Sequence, residues 1–211
     1  MPKTFRLVLG TNNKHKVEEI REKMTRSEAL RRIGVKVEVL PLSAFPAAPE
    51  VIEDRDTFEG NAVKKAVTLA KALGIPVAAD DSGLQVDALD GRPGVMSARY
   101  AGVHGDYEAN NLKVLREMEG VPDVKRTARF ITVVAFAQPD GLVFTTEGKV
   151  DGRIATAPSG KHGFGYDPIF LLPQRRVTMA QLTLEEKNKI SHRALAIESF
   201  CDRLAEWLKK I

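Results

Sequence analysis

Between Arg126 and Ala155 the chain reads RTARFITVVAFAQPDGLVFTTEGKVDGRIA, two long strand-like runs about Pro139-Asp140-Gly141. Pro presets one backbone angle, Asp bonds to nearby backbone and Gly tolerates a left-handed φ, so these three residues predict a turn. A two-stranded ribbon of that length is not stable alone in water. It needs a helix or a further sheet over one face, which the rest of the chain must supply.

The first half carries elements that can do so. Phe5 to Leu9 read as a buried strand, and the polar turn GTNNKHK follows. Val17, Ile20, Met24 and Leu30 recur at helical spacing, predicting a helix from about Lys16 to Arg32. VKVEVLPL alternates like a strand before the Pro-rich loop SAFPAAPEVIEDRD. Asp56 and Glu59 have capping-box spacing, opening a helix over FEGNAVKKAVTLAKAL that Gly74 can close. IPVAAD is a short strand, then an acidic turn, after which GLQVDAL alternates. Asp106 can cap a helix over YEANNLKVLREME that ends by Gly120. After the hairpin, APSGKHGFGYDPIFLLP is a Gly-rich loop entering a short strand. Thr183 with Glu186 forms a second capping-box pattern, and Ser191 can cap a last helix to Leu208. The pattern predicts an α/β fold: a long mixed sheet flanked by helices, one domain over residues 1–211 with two lobes and a cleft where loops meet.

At 211 residues the chain can bury a sizeable core. No apolar run approaches the roughly 18 residues that cross a membrane. The opening MPKTFRLVLG enters a strand directly, without signal-peptide architecture, and the single Cys201 cannot form an internal disulfide. A cytoplasmic location is expected. The net charge of +4 invites a nucleic-acid reading. The excess is dispersed over helical faces, broken by Glu and without aromatic platforms, so no nucleic-acid or membrane partner is expected. A small polyanion such as a nucleoside triphosphate suits the surplus.

Four segments carry candidate chemistry. In VAADDSGLQVDAL two adjacent carboxylates, Asp80 and Asp81, repel each other and favour no strand. A charged turn in solvent and a divalent-metal site both fit them. TNNKHK puts Asn12, Asn13, Lys14 and Lys16 at a helix start, where amides and lysines favour anions; a plainly capped helix fits too. It is not a Walker A loop, lacking the glycine spacing and the Lys-Ser/Thr ending. In GFGYDP, Phe164 or Tyr166 could stack on a base and Asp167 could bond its edge, or the segment is a structural turn. EEKNKISHR gathers Lys187, His192 and Arg193, making an anion or keto-oxygen site plausible where a lone histidine would be structural.

With TFEGNAVKKA, ADDSGLQVDALDGRPGVMSARYAG, GFGYDPIF and LTLEEKNKISHRALA, these segments occur in one order, and together the chain resembles the inosine triphosphate pyrophosphatase family over nearly its whole length. The resemblance implies an elongated, curved mixed sheet with a nucleotide cleft between two lobes, and a homodimer. It implies hydrolysis of the non-standard purine triphosphates of inosine, deoxyinosine and xanthosine (ITP, dITP, XTP) to monophosphate and pyrophosphate, with Mg²⁺. It assigns Thr11, Asn12, Asn13, Lys14, His15 and Lys16 to the triphosphate, and Asp81 to catalysis and the metal. Glu53 resembles the acid that joins Asp81 around Mg²⁺, a place that Asp54 or Glu50 could take instead. Ser82 matches a substrate contact, and Phe164, Gly165, Tyr166 and Asp167 match the base-binding loop. Lys187, His192 and Arg193 match the remaining nucleotide contacts. His15 stands where the family often has glycine. On this assignment Asp80-Asp81 ends a strand at a metal–triphosphate site, and Arg193 donates to the purine 6-oxygen, which adenine lacks.

Overall fold

The structure, a computed structural model, describes residues 4–211. Seven strands share one sheet: β1 (Thr4–Leu9), β2 (Lys36–Pro41), β3 (Val77–Val86), β4 (Thr127–Gln138), β5 (Gly141–Ile154), β6 (Phe170–Leu172) and β7 (Val177–Thr178), in the order β2-β1-β3-β4-β5-β6-β7. β1 runs parallel to β2 and β3, whereas β6 is antiparallel to β5 and β7, so the sheet is mixed as expected. The helices are α1 (Lys14–Arg26), α2 (Glu28–Arg32), α3 (Phe58–Leu73), α4 (Tyr107–Glu117), α5 (Leu184–Ile190) and α6 (His192–Leu208).

The chain forms two compact units. Among the described residues, the first comprises 4–81, 132–148 and 193–211. In its core, Leu7 and Leu9 of β1 and Ile20 and Met24 of α1 join Phe136 and Phe144 of the long hairpin. Ile197, Phe200 and Leu204, at helical spacing on α6, complete it. This helix provides the cover that the hairpin required. The second comprises residues 82–131 and 149–192. Leu84, Val86, Val114, Met118, Phe130, Ile169 and Phe170 lie in its core.

Three local expectations change. The predicted first helix is two: Ser27 leaves helical geometry at φ −63°, ψ 118°, and its hydroxyl accepts from Leu30 N to start α2. The cap of α3 is Thr57, whose hydroxyl accepts from Gly60 N at 3.0 Å, not Asp56; Glu59 instead accepts from the Thr145 hydroxyl at 2.8 Å. Most consequential, Asp80 and Asp81 do not end a strand. β3 runs unbroken through Asp80-Asp81-Ser82 to Val86. Adjacent strand residues point to opposite faces, and Asp80 meets Lys16 while Asp81 meets Asn61, so the strand tolerates both.

Candidate active site

Gly10 lies where β1 leaves the sheet, against β3: a Cβ there would come within 2.9 Å of the Ala79 Cβ. That close approach fixes where TNNKHK turns into α1. Asn13 caps the helix, its side chain accepting from His15 N at 3.1 Å and Lys16 N at 3.3 Å, while the Thr11 hydroxyl accepts from Asn13 N at 3.2 Å. Two amides expected to face an anion are thus engaged by Asn13. Asn12, Lys14 and His15 are exposed. Lys16 turns inward to pair with Asp80 at 2.9 Å.

Asp80 is 2% exposed and lies among cations. Besides Lys16, the Arg193 Nε is 3.7 Å away, and the Lys65 Nζ donates to the Asp80 backbone carbonyl at 2.5 Å. Burial works against its charge, but Lys16, Arg193 and Lys65 prevail and hold its pKa far below the carboxylate range. Burial dominates at Lys16 and lowers its pKa in spite of Asp80. At Lys65 burial also opposes the charge, yet Asp80, Glu53 and Asp81 together raise its pKa.

Asp81 is the opposite case. Its pKa is raised, first by burial and then by the nearby Glu53, against the pull of Lys65. Its Oδ2 accepts from the Asn61 side chain at 3.0 Å. The two neighbours thus shift in opposite directions: Asp80 is held as an anion by its cations, and burial makes Asp81 the more readily protonated of the two. Glu53 accepts from the Lys65 Nζ at 2.5 Å. Asp54 is turned to Lys64 at 2.7 Å, and Glu50 is exposed.

No group of three or more acidic, His or Cys ligands assembles among the described residues. Mg²⁺ does not need one, since one or two carboxylates plus phosphate oxygens and waters complete its octahedron. Asp81 and Glu53 supply two carboxylates of that kind, near enough that Glu53 contributes to raising the Asp81 pKa.

Asn61, Lys65 and Glu19 belong to this cluster and carried no role in the sequence reading. Arg193 donates to the Glu19 Oε2 at 2.5 Å, and the two side chains are 3% and 6% exposed. A signal was available for α3. Asn61 and Lys65, four residues apart, occupy the buried stripe of Phe58, Ala62, Ala66 and Leu69, where apolar residues belong.

In the second unit, Phe164 follows Gly163 and precedes Gly165, both with left-handed φ (76° and 63°). Asp167 is buried; its Oδ2 accepts from Phe164 N at 2.9 Å and from the Lys187 Nζ at 2.7 Å. Tyr166 is buried as well, donating its hydroxyl to Ser97 O at 2.9 Å. Asp167 and Tyr166 therefore tie the loop to the core from within. Phe164 is half-buried, with the Lys187 Nζ 4.9 Å from its ring centre. His192 stacks on Phe130 at 4.6 Å. Thr183 and Glu186 form the reciprocal capping box that starts α5 and so places Lys187. Ser82 is half-buried in β3.

Residues 7–203 match the model of the Ham1 family. The chain belongs to that family. Among Ham1 relatives it is similar to the dITP/XTP pyrophosphatase of Geobacter sulfurreducens, 48% identical over 199 residues, which is 94% of this chain and 96% of that protein. It is 43% identical to the dITP/XTP pyrophosphatase of Lactiplantibacillus plantarum over 210 residues, the full length of both. The HAM1 protein of Coxiella burnetii superposes with a TM-score of 0.84 at 38% identity, over 96% of this chain and 99% of the other. A nucleoside-triphosphatase, or dITP/XTP pyrophosphatase, from Mycobacterium abscessus superposes at 0.75 and 39% identity, over 93% and 98%. Among the described residues no helix is long and apolar enough to cross a membrane.

Proposed function

We propose that the chain hydrolyses non-standard purine nucleoside triphosphates (ITP, dITP and XTP) to the monophosphate and pyrophosphate, clearing them from the nucleotide pool. The similarity to dITP/XTP pyrophosphatases over nearly the whole chain supports the substrate class. The observation that carries the chemistry is the buried cluster in which Lys16 and Lys65 flank two aspartates with opposed pKa shifts.

In this reading water attacks the α-phosphorus and the bond from that phosphorus to the β-bridging oxygen breaks. Asp81 orients the water and takes its proton. Lys16 and Lys65 offset charge on the phosphates as pyrophosphate leaves. Asn61 holds the Asp81 carboxylate in place, and Asp80 holds the Lys16 ammonium. Mg²⁺, held by Asp81 and Glu53, would supply further charge neutralisation and a more acidic water. We assign the base to the Phe164 loop with Lys187 and His192. Arg193 reaches a purine 6-oxygen only by loosening its hold on Glu19 or Asp80. The enzyme is proposed to work in the cytoplasm as a homodimer.

Pyrophosphate release, measured over ITP, dITP, XTP, dATP and a modified pyrimidine triphosphate with Mg²⁺, tests the reading. Equal amounts of monophosphate and pyrophosphate from dITP are expected. Inosine diphosphate with free phosphate as first products from ITP would overturn the bond assignment. Binding without turnover would make the chain a nucleotide sensor.

A further inference from the structure

Helix α4 carries two adjacent buried asparagines with different hydrogen-bond accounts. Asn110 is saturated on both sides, accepting from Ala101 N at 2.7 Å and donating to Ala98 O at 3.4 Å. Asn111 donates to the Gly165 carbonyl at 3.0 Å, but its buried Oδ1 has no hydrogen-bond partner. A buried acceptor left unpaired opposes folding by more than one neutral hydrogen bond contributes, so an apolar residue of the same size would serve stability at least as well. Asn111 is therefore poorly explained as a packing residue.

Its one bond falls on the loop assigned above to the base. Phe164 lies between two left-handed glycines, which have no side chains to hold them. Four residues before Asn111 on the same helix, Tyr107 packs its ring on Phe164 with centroids 5.9 Å apart. Positions four apart share a helix face, so α4 presents both contacts to the loop together. Asp167 restrains the loop at Phe164 N, and Asn111 restrains it at the following carbonyl. Gly165 is only half-buried, so without Asn111 its carbonyl can turn to water and take Phe164 with it.

We infer that Asn111 is a positioning residue for base selectivity, holding Gly165 from α4 so that the Phe164 ring stays where a 6-oxopurine is accepted. The inference rests on the reading of the Phe164 loop as the base site, and its test separates the two.

The readout is the ratio of kcat/KM for dITP over dATP, together with thermal unfolding, in the full-length enzyme. Asn111→Leu keeps the forked outline and the number of side-chain heavy atoms and removes both polar atoms. It should lower the ratio roughly 2- to 12-fold, the range of one neutral hydrogen bond, mainly through KM for dITP. Its Tm should be unchanged or higher. Asn110→Leu should lower Tm and leave the ratio near wild type, since loss of folded protein affects both substrates equally. Phe164→Ala checks the loop itself. If Phe164→Ala lowers the ratio and Asn111→Leu does not, the inference falls and the base-site reading stands. If Phe164→Ala leaves the ratio unchanged, the base-site reading falls and takes the inference with it. Should Asn111→Leu fail to fold, Asn111→Ala carries the same comparison.

Discussion

At the scale of single residues, the pair in β3 shows how neighbours with the same chemistry acquire opposite pKa shifts from different surroundings. Asp81→Asn keeps size and can still accept from Asn61, but it cannot take a proton. Turnover of dITP should fall at least about 100-fold with the fold intact, as measured by initial rates alongside circular dichroism. Near-normal rates in a folded variant would reduce the motif to a structural one. Lys65→Met should also lower turnover sharply, because it removes a cation that Asp80, Asp81 and Glu53 share. The buried Arg193–Glu19 pair makes a different prediction. Arg193→Leu takes the guanidinium away from the buried Glu19 carboxylate and should destabilise by about 3–5 kcal/mol; adding Glu19→Leu should restore much of that loss. Additive losses in urea unfolding of the double variant would show that the two side chains are not coupled.

At the scale of elements, the start of α3 decides between two caps that one sequence pattern offered. Thr57→Ala removes the acceptor for Gly60 N and should cost about 1 kcal/mol, or roughly 2–4 °C in Tm for a chain of this size. Asp56→Ala should stay within about 0.5 kcal/mol. The reverse order in thermal melts would return the cap to Asp56. The stakes exceed stability, since α3 holds Asn61 and Lys65 against β3. Capping patterns are local and legible, as Thr183 and Glu186 at α5 demonstrate. Where Thr, Asp and Glu crowd within four residues, however, backbone direction chooses among them.

At the scale of the whole molecule, the two aspartates bear on global stability with opposite signs. The folded pKa of Asp80 is depressed, so its ionisation stabilises the fold above the unfolded value of 3.8, and this contribution is lost as pH falls below it. The folded pKa of Asp81 is raised, so its ionisation works against the fold once pH passes 3.8. In metal-free buffer at pH 7, Asp80→Asn should therefore be less stable than wild type and Asp81→Asn at least as stable. Both differences should shrink towards pH 3 in urea titrations, and gaps that do not change with pH would contradict this account. The sequence by itself determined what rests on near neighbours. The hairpin about Pro139-Asp140-Gly141 is encoded by turn residues and by alternation, and α6 at the C-terminal end by its apolar period. The residue types proposed for a phosphate site, with a carboxylate pair, stood in order along the chain. Tertiary structure decided what depends on charges distant in sequence. β3 continues through Asp80 and Asp81 because Lys16, Asn61, Lys65 and Arg193 arrive from three helices to compensate them. Tyr166 and Asp167 turn into the core because Ser97 and Lys187 meet them there, and a buried polar atom is stable only where a partner is already in place.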